Sequence, residues 1–198
     1  MTSRRKITLV SLRGAMLLAL CAVGWFGYLD PRLNSAVADQ LGQGDYRLVT
    51  TDGGTFTQDT LTGTPSAVFF GFTHCPEVCP TTLGDVAGWQ EELAKEGEEL
   101  RVFFVTVDPE RDTAEMLGNY VSWVPGVTGV SGTQAEIDKA IRAFRVYAQR
   151  VPLKDGGYTM DHSAFVLLFD DRGRFDQPIA YQEDFDRAMG KIRQLVSG

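Results

Sequence analysis

Cysteine and histidine are scarce in this chain: its 198 residues include three of the first and two of the second. Cys21, Cys75 and Cys79 are too few for a disulfide-stapled scaffold, and at this length a core forms without staples. Any site built from sulfur and imidazole therefore has few possible compositions. Positive charge is also in deficit, with 19 Lys and Arg against 26 Asp and Glu and a formal net charge of −7. An acidic surface repels phosphate backbones, which excludes nucleic acid as a partner. Internal repeats and low-complexity tracts are missing, so the chain is no solenoid or linker array. With 43% hydrophobic and 23% charged residues, the remainder reads as one ordinary globular domain behind a leader.

The leader carries the one long apolar stretch. Residues 1–6 form a basic start with Arg4, Arg5 and Lys6, and residues 7–29 are apolar apart from Arg13, whose long stem can snorkel. This pattern predicts a transmembrane anchor, or a signal sequence, with the N-terminus inside and the domain outside. Two processing signals compete. Ala36-Val37-Ala38 has the A-x-A form of a signal-peptidase site, and Leu18-Ala19-Leu20-Cys21 has the outline of a lipobox. Each reading puts the domain outside the cytoplasm, on the periplasmic side of a cell inner membrane or the equivalent face of a mitochondrial inner membrane. Residues 30–43 then form a linker, and 44–198 form the domain.

Within the domain, Tyr46–Thr50 and Thr55–Thr57 flank Asp52-Gly53-Gly54, a hairpin signal. Ser66–Phe72 is a continuous apolar run, as a buried central strand requires. Pro80–Glu96 has helical periodicity and Gly97 stops it. Leu100–Val107 predicts a second buried strand, Thr113 a cap on a helix reaching about Trp123, and Val127–Val130 a short strand. Ser131 or Thr133 caps a helix with Ile137, Ile141, Phe144 and Tyr147 on one face. A turn at 154–157, strands at Ala164–Phe169 and Arg174–Ala180, and a last helix from about Glu183 complete the chain. The layout is α/β with a mixed central sheet and an N-terminal hairpin. A cysteine motif directly after the first buried strand, at a helix start, is the thioredoxin-like arrangement.

The chemistry concentrates in Phe69–Pro80. Cys75 and Cys79 stand four apart, so one helical turn puts both sulfurs on one face, and a Cα separation of about 6 Å would also permit a disulfide. Pro80 biases Cys79 away from regular helix, which predicts a tight loop at a helix N-terminus, where the dipole favours thiolate. His162 precedes the third apolar strand. A lone histidine there is commonly a hydrogen-bonded structural residue, but in a thioredoxin-like fold that loop faces the cysteine motif. Two thiolates and an imidazole are a soft set suited to Cu(I), and with a water they also suit Zn(II). His74 is the competing ligand. Asp108 lies at the same end of the sheet, where it can cap a turn or orient His162. Asp112 and Asp161 are further supporting acids.

The strings GFTHCPEVCPTTL, VDPERDT and YTMDHSAFVLLFDDRGRF together resemble the SCO/SenC family, copper chaperones for cytochrome c oxidase assembly. The resemblance covers roughly Gly44–Val196. It implies Cys75, Cys79 and His162 as copper ligands, with Asp108 and Asp112 in acidic positions associated with copper handling or partner contact. It also implies delivery of copper, as Cu(I) or Cu(II), to the dinuclear site of oxidase subunit II, or reduction of that site's cysteines. An upstream copper donor or thiol reductase would supply the protein. On this reading the chain is a metallochaperone, not an enzyme. The alternative is a membrane-anchored thiol–disulfide oxidoreductase using the CxxxC pair, for which His162 would be dispensable. A peroxidase reading fails on the spacing around Thr73-His74-Cys75.

Overall fold

The protein is described by a computed structural model over residues 16–25, 39–154 and 156–197. It divides into two units, Met1–Asp39 and Gln40–Gly198. In the first, residues 16–24 are helical and the side chains of 16–25 are exposed. Among the described residues, no helix is long and apolar enough to cross a membrane. The anchor expected over 7–29 and the 36–38 processing signal lie wholly or mostly outside the described residues. Near the start of the second unit Gly42 is already packed: its N–H donates to the Ala143 carbonyl at 3.0 Å.

The second unit opens with the expected hairpin, β1 (Leu48–Thr50) and β2 (Thr55–Phe56), followed by a 3-10 turn at Gln58–Leu61. Next come β3 (Ser66–Gly71), helix α1 (Val78–Glu96), β4 (Arg101–Thr106), α2 (Ala114–Val121), β5 (Val127–Ser131) and α3 (Gln134–Ala143). The chain continues through β6 (Ala148–Pro152), β7 (Tyr158–His162), β8 (Phe165–Phe169) and β9 (Phe175–Ala180) to α4 (Phe185–Val196). Seven strands form one mixed sheet in the order β2-β1-β5-β4-β3-β8-β9, and β6 pairs only with β7. The β3–β4 and β4–β5 pairs are parallel, and the flanking pairs are antiparallel. All six β3 residues are buried, as a strand covered on both faces demands.

Strand alternation divides the core into two layers. On one face Phe70 packs on Phe144, which also meets Phe169, Phe56 and Tyr46. On the other, Phe69 meets Phe104 edge-on and Phe104 meets Tyr120 of α2. Buried aromatic and aliphatic side chains of this kind each contribute about 1.5–3 kcal/mol by leaving water. The second layer also receives Cys79, whose sulfur sits against the backbone of Gly71.

Local departures from the sequence expectation have identifiable causes. Helix α1 starts two residues early, at Val78, so Cys79 is helical in spite of Pro80. Pro80 takes the third helical position, where an N–H would have no intrahelical partner, so the missing donor costs nothing. Helix α2 ends at Val121, short of Trp123. Helix α3 ends at Ala143, and Arg145 at φ 52° turns the chain, which leaves Tyr147 outside the helix and half exposed. The segment before His162, expected as a loop, is instead the two-stranded β6–β7 ribbon.

A Cβ on Gly71 would stand 2.7 Å from Cys79 Sγ and 2.8 Å from a Phe104 ring carbon. Gly71→Ala is therefore expected to destabilise the domain by about 1–3 kcal/mol through overpacking, measured as a lower urea midpoint. An unchanged midpoint would contradict this packing.

Candidate metal centre

The site sits where β3 and β4 end, outside the carboxyl ends of the parallel strands, the usual position for function in an α/β sheet. Phe72 is buried, and the Cys75 N–H donates to its carbonyl at 3.2 Å, turning the chain sharply. Glu77 is the N-cap of α1 but makes no side-chain cap hydrogen bond. Cys75 Sγ takes that role by accepting the Cys79 N–H at 3.3 Å. The sulfur thus meets the positive end of the helix, which favours thiolate.

Both cysteines are free thiols and both are buried, Cys75 at 9% exposure and Cys79 at 0%. Their proton affinities diverge. Hydrogen bonding from the Cys79 thiol is the largest influence on Cys75 and outweighs burial, bringing it from an ordinary 9.0 down to about 4. Cys79 moves the other way, pushed up first by that same hydrogen bond and then by burial. The helix N–H on Cys75 Sγ and its slight exposure point the same way as these shifts, favouring Cys75 as the thiolate of the pair and Cys79 as its thiol partner.

His162 closes the group from the end of β7. Its Nδ1 lies 2.8 Å from the Ser163 carbonyl; a carbonyl only accepts, so Nδ1 is the donor there and Nε2 is the nitrogen that faces the sulfurs. Nε2 lies 3.7 Å from Cys79 Sγ. The ring packs edge-on against Phe72, with centroids 5.7 Å apart. The ligand atoms of Cys75, Cys79 and His162 all lie within 4.8 Å of one another. A set of two sulfurs and one imidazole nitrogen at this separation could hold a soft metal ion with small adjustments.

The other predicted site residues have separate places. His74 is exposed and its Nδ1 is 3.0 Å from Thr73 Oγ1, so it stands outside the three-residue group. Asp112 is fully buried and accepts from the Thr73 N–H at 3.0 Å, the Thr73 hydroxyl at 2.6 Å and the Thr106 hydroxyl at 2.7 Å. It anchors the loop that carries Cys75. Asp108 is also buried, but it accepts from Arg111 Nε and, at 3.0 Å, from the Tyr158 hydroxyl. It therefore reaches His162 only through the ribbon. Asp161 is exposed and strand alternation points it away from His162; the Ser163 carbonyl orients the imidazole in its place. Sequence reasoning passed over Gly71, Thr73, Arg111 and Tyr158, although Arg111 lies inside the VDPERDT block and Tyr158 four residues before His162.

The SCO1/SenC family profile matches residues 35–197. The chain belongs to the SCO1/SenC family. Protein SCO1, mitochondrial, of Saccharomyces cerevisiae is 35% identical over 157 residues, covering 77% of this chain and 53% of the relative. A SCO2-like protein of Rickettsia felis is 36% identical over 135 residues, covering 67% of this chain and 66% of the relative. The chain spans about half the length of the yeast relatives it matches. Among solved structures, Bradyrhizobium japonicum ScoI with copper bound is similar at TM-score 0.71 and 40% identity, covering 78% of this chain and 99% of that one. Yeast Sco1 with copper bound is similar at TM-score 0.73 and 33% identity, covering 80% and 90%. The SCO1/SenC relatives share the α/β architecture, so the resemblance carried by the three sequence blocks extends to the fold.

The asymmetry of the SCO1/SenC cysteine pair is open to direct measurement. Limited iodoacetamide at neutral pH is expected to label Cys75 well ahead of Cys79, read by peptide mass spectrometry. Equal labelling, or Cys79 first, would contradict the assignment of Cys75 as the thiolate.

Proposed function

We propose that this protein is a copper metallochaperone that binds its cargo through Cys75, Cys79 and His162 and passes it to cytochrome c oxidase subunit II. The observation that carries this reading is the convergence of two sulfurs and an imidazole nitrogen from separate elements at the end of the sheet. The naming of family relatives as copper-bound supports copper as the cargo. Cu(I) prefers few, soft ligands, and the set offers two sulfurs and one nitrogen. The same set also accepts Cu(II).

The arrangement favours transfer as well as binding. Cys79 is sealed in the core, whereas Cys75 is slightly exposed and His162 is half-buried. An incoming thiolate or imidazole of the client approaches from that open side and replaces His162 and Cys75 in turn, with Cys79 the last ligand to leave. Loading requires deprotonated sulfur, and Cys75 supplies thiolate without a base. The client, the upstream copper donor or thiol reductase, and a membrane tether over 7–29 with the domain on the outer side complete the proposal, on the strength of family membership and the leader pattern.

The second reading is thiol–disulfide exchange with the client's cysteines. The observation favouring it is the hydrogen-bonded thiolate–thiol pair. In that reaction Cys75 attacks a client disulfide, Cys79 displaces the client thiol, and the chain leaves as the Cys75–Cys79 disulfide.

The reduced domain, loaded anaerobically, is expected to hold one Cu(I) per chain. His162→Ala and Cys75→Ser should each weaken binding by more than the about tenfold that loss of a supporting contact costs, measured by competition with a Cu(I) chelator. Copper should then move to the apo copper-binding domain of oxidase subunit II. Binding indifferent to His162, or none at all, would overturn the chaperone reading in favour of thiol exchange.

A further inference from the structure

His162 belongs to a ribbon that shares no strand pairing with the main sheet, so something other than sheet hydrogen bonds must set its distance from the cysteines. Residues 158, 160 and 162 share one face of β7. Met160 packs on the core and His162 rests on Phe72. Tyr158 is held at the far end. Its ring lies between two guanidinium groups, with Arg111 Cζ 3.9 Å and Arg150 Cζ 4.1 Å from the centroid. Its hydroxyl donates to buried Asp108 at 3.0 Å, and Arg111 Nη1 donates to its carbonyl at 3.1 Å. Arg111 is itself fixed by Asp108 and reaches the Phe72 ring at 5.8 Å. At the outer end of this arrangement Arg150 pairs with Glu110 at 2.6 Å.

These contacts form one continuous stack: Arg150, Tyr158, Arg111, Phe72 and His162. Cation–π packing at these distances is favourable, and the planar Arg111 fork serves ring, carbonyl and carboxylate together, as a lysine could not.

We propose that Arg111 and Tyr158 are positioning residues that clamp the β6–β7 ribbon and so fix His162 as the third ligand, while the two cysteines are held independently by α1 and Asp112. This rests on the three-ligand reading above. Neither residue belongs to the three-ligand group. The clamp acts chiefly on the ribbon that carries His162, so loosening it converts a three-ligand site into a two-sulfur site.

The test uses Tyr158→Leu and, as a second variant, Arg111→Met, each in the parent and in a His162→Ala background. Readouts are Cu(I) affinity by chelator competition and amide hydrogen exchange of the copper-free protein. Tyr158→Leu is expected to weaken copper about tenfold when His162 is present and to leave affinity unchanged in the His162→Ala background, a non-additivity that a general loss of stability would not give. Ribbon amides should exchange faster, while those of β3 and β4 stay protected. Equal weakening in both backgrounds, or parent-like affinity for both clamp variants, would overturn the proposal. If His162→Ala itself leaves binding unchanged, the three-ligand reading fails. The clamp then stands or falls on ribbon exchange alone, and protection equal to the parent's overturns it.

Discussion

The buried carboxylate of Asp112 is the constraint on which the rest of the site depends. Its oxygens bind the Thr73 backbone and hydroxyl after β3 and the Thr106 hydroxyl at the end of β4. Its backbone carbonyl accepts from the Ser131 hydroxyl at the end of β5 at 2.7 Å. One residue thus ties together the ends of three parallel strands, and the buried carboxylate is tolerated because three donors are aimed at its oxygens. The loop it pins delivers Cys75 to the N-terminus of α1, and the absence of a side chain at Gly71 lets Cys79 close in beneath.

From that anchor the chemistry follows in order. The Cys79 thiol and the helix terminus favour thiolate at Cys75, the core buries Cys79, and the ribbon supplies an imidazole whose Nε2 faces the sulfurs. The three ligands therefore sit on supports of unequal stiffness. Two are locked into the sheet–helix body, and the third is carried by a ribbon stapled through side chains. A carrier needs a site that holds its cargo yet can lose a ligand on cue, and unequal supports meet both requirements within one binding site.

Much of this was legible in the sequence. The apolar runs gave the central strands to within a residue or two, Thr113 and Thr133 marked two helix starts, and the CxxxC block with a later histidine named the residues that converge. The misses share a physical cause. Strand β6 is largely exposed and β7 only partly buried, so neither shows the hydrophobic alternation that announces a strand. The helix began before Pro80 because a proline in the first turn removes no bond. Asp108 was placed in the right region, but its direct partners, Arg111 and Tyr158, were not foreseen, since spacing shows which residues share an end of the sheet and not which side chains meet. The Arg111–Tyr158 contact, 47 residues apart in the chain, has no local signature at all.

The central claim is that sulfur from Cys75 and Cys79 and nitrogen from His162 bind one copper ion together. X-ray absorption at the copper edge of the Cu(I)-loaded domain tests it most directly. The account predicts two sulfur neighbours and one imidazole nitrogen, with the nitrogen shell lost in His162→Ala and both sulfurs retained. A shell of sulfur alone in the parent, or a nitrogen shell that survives His162→Ala, would contradict it.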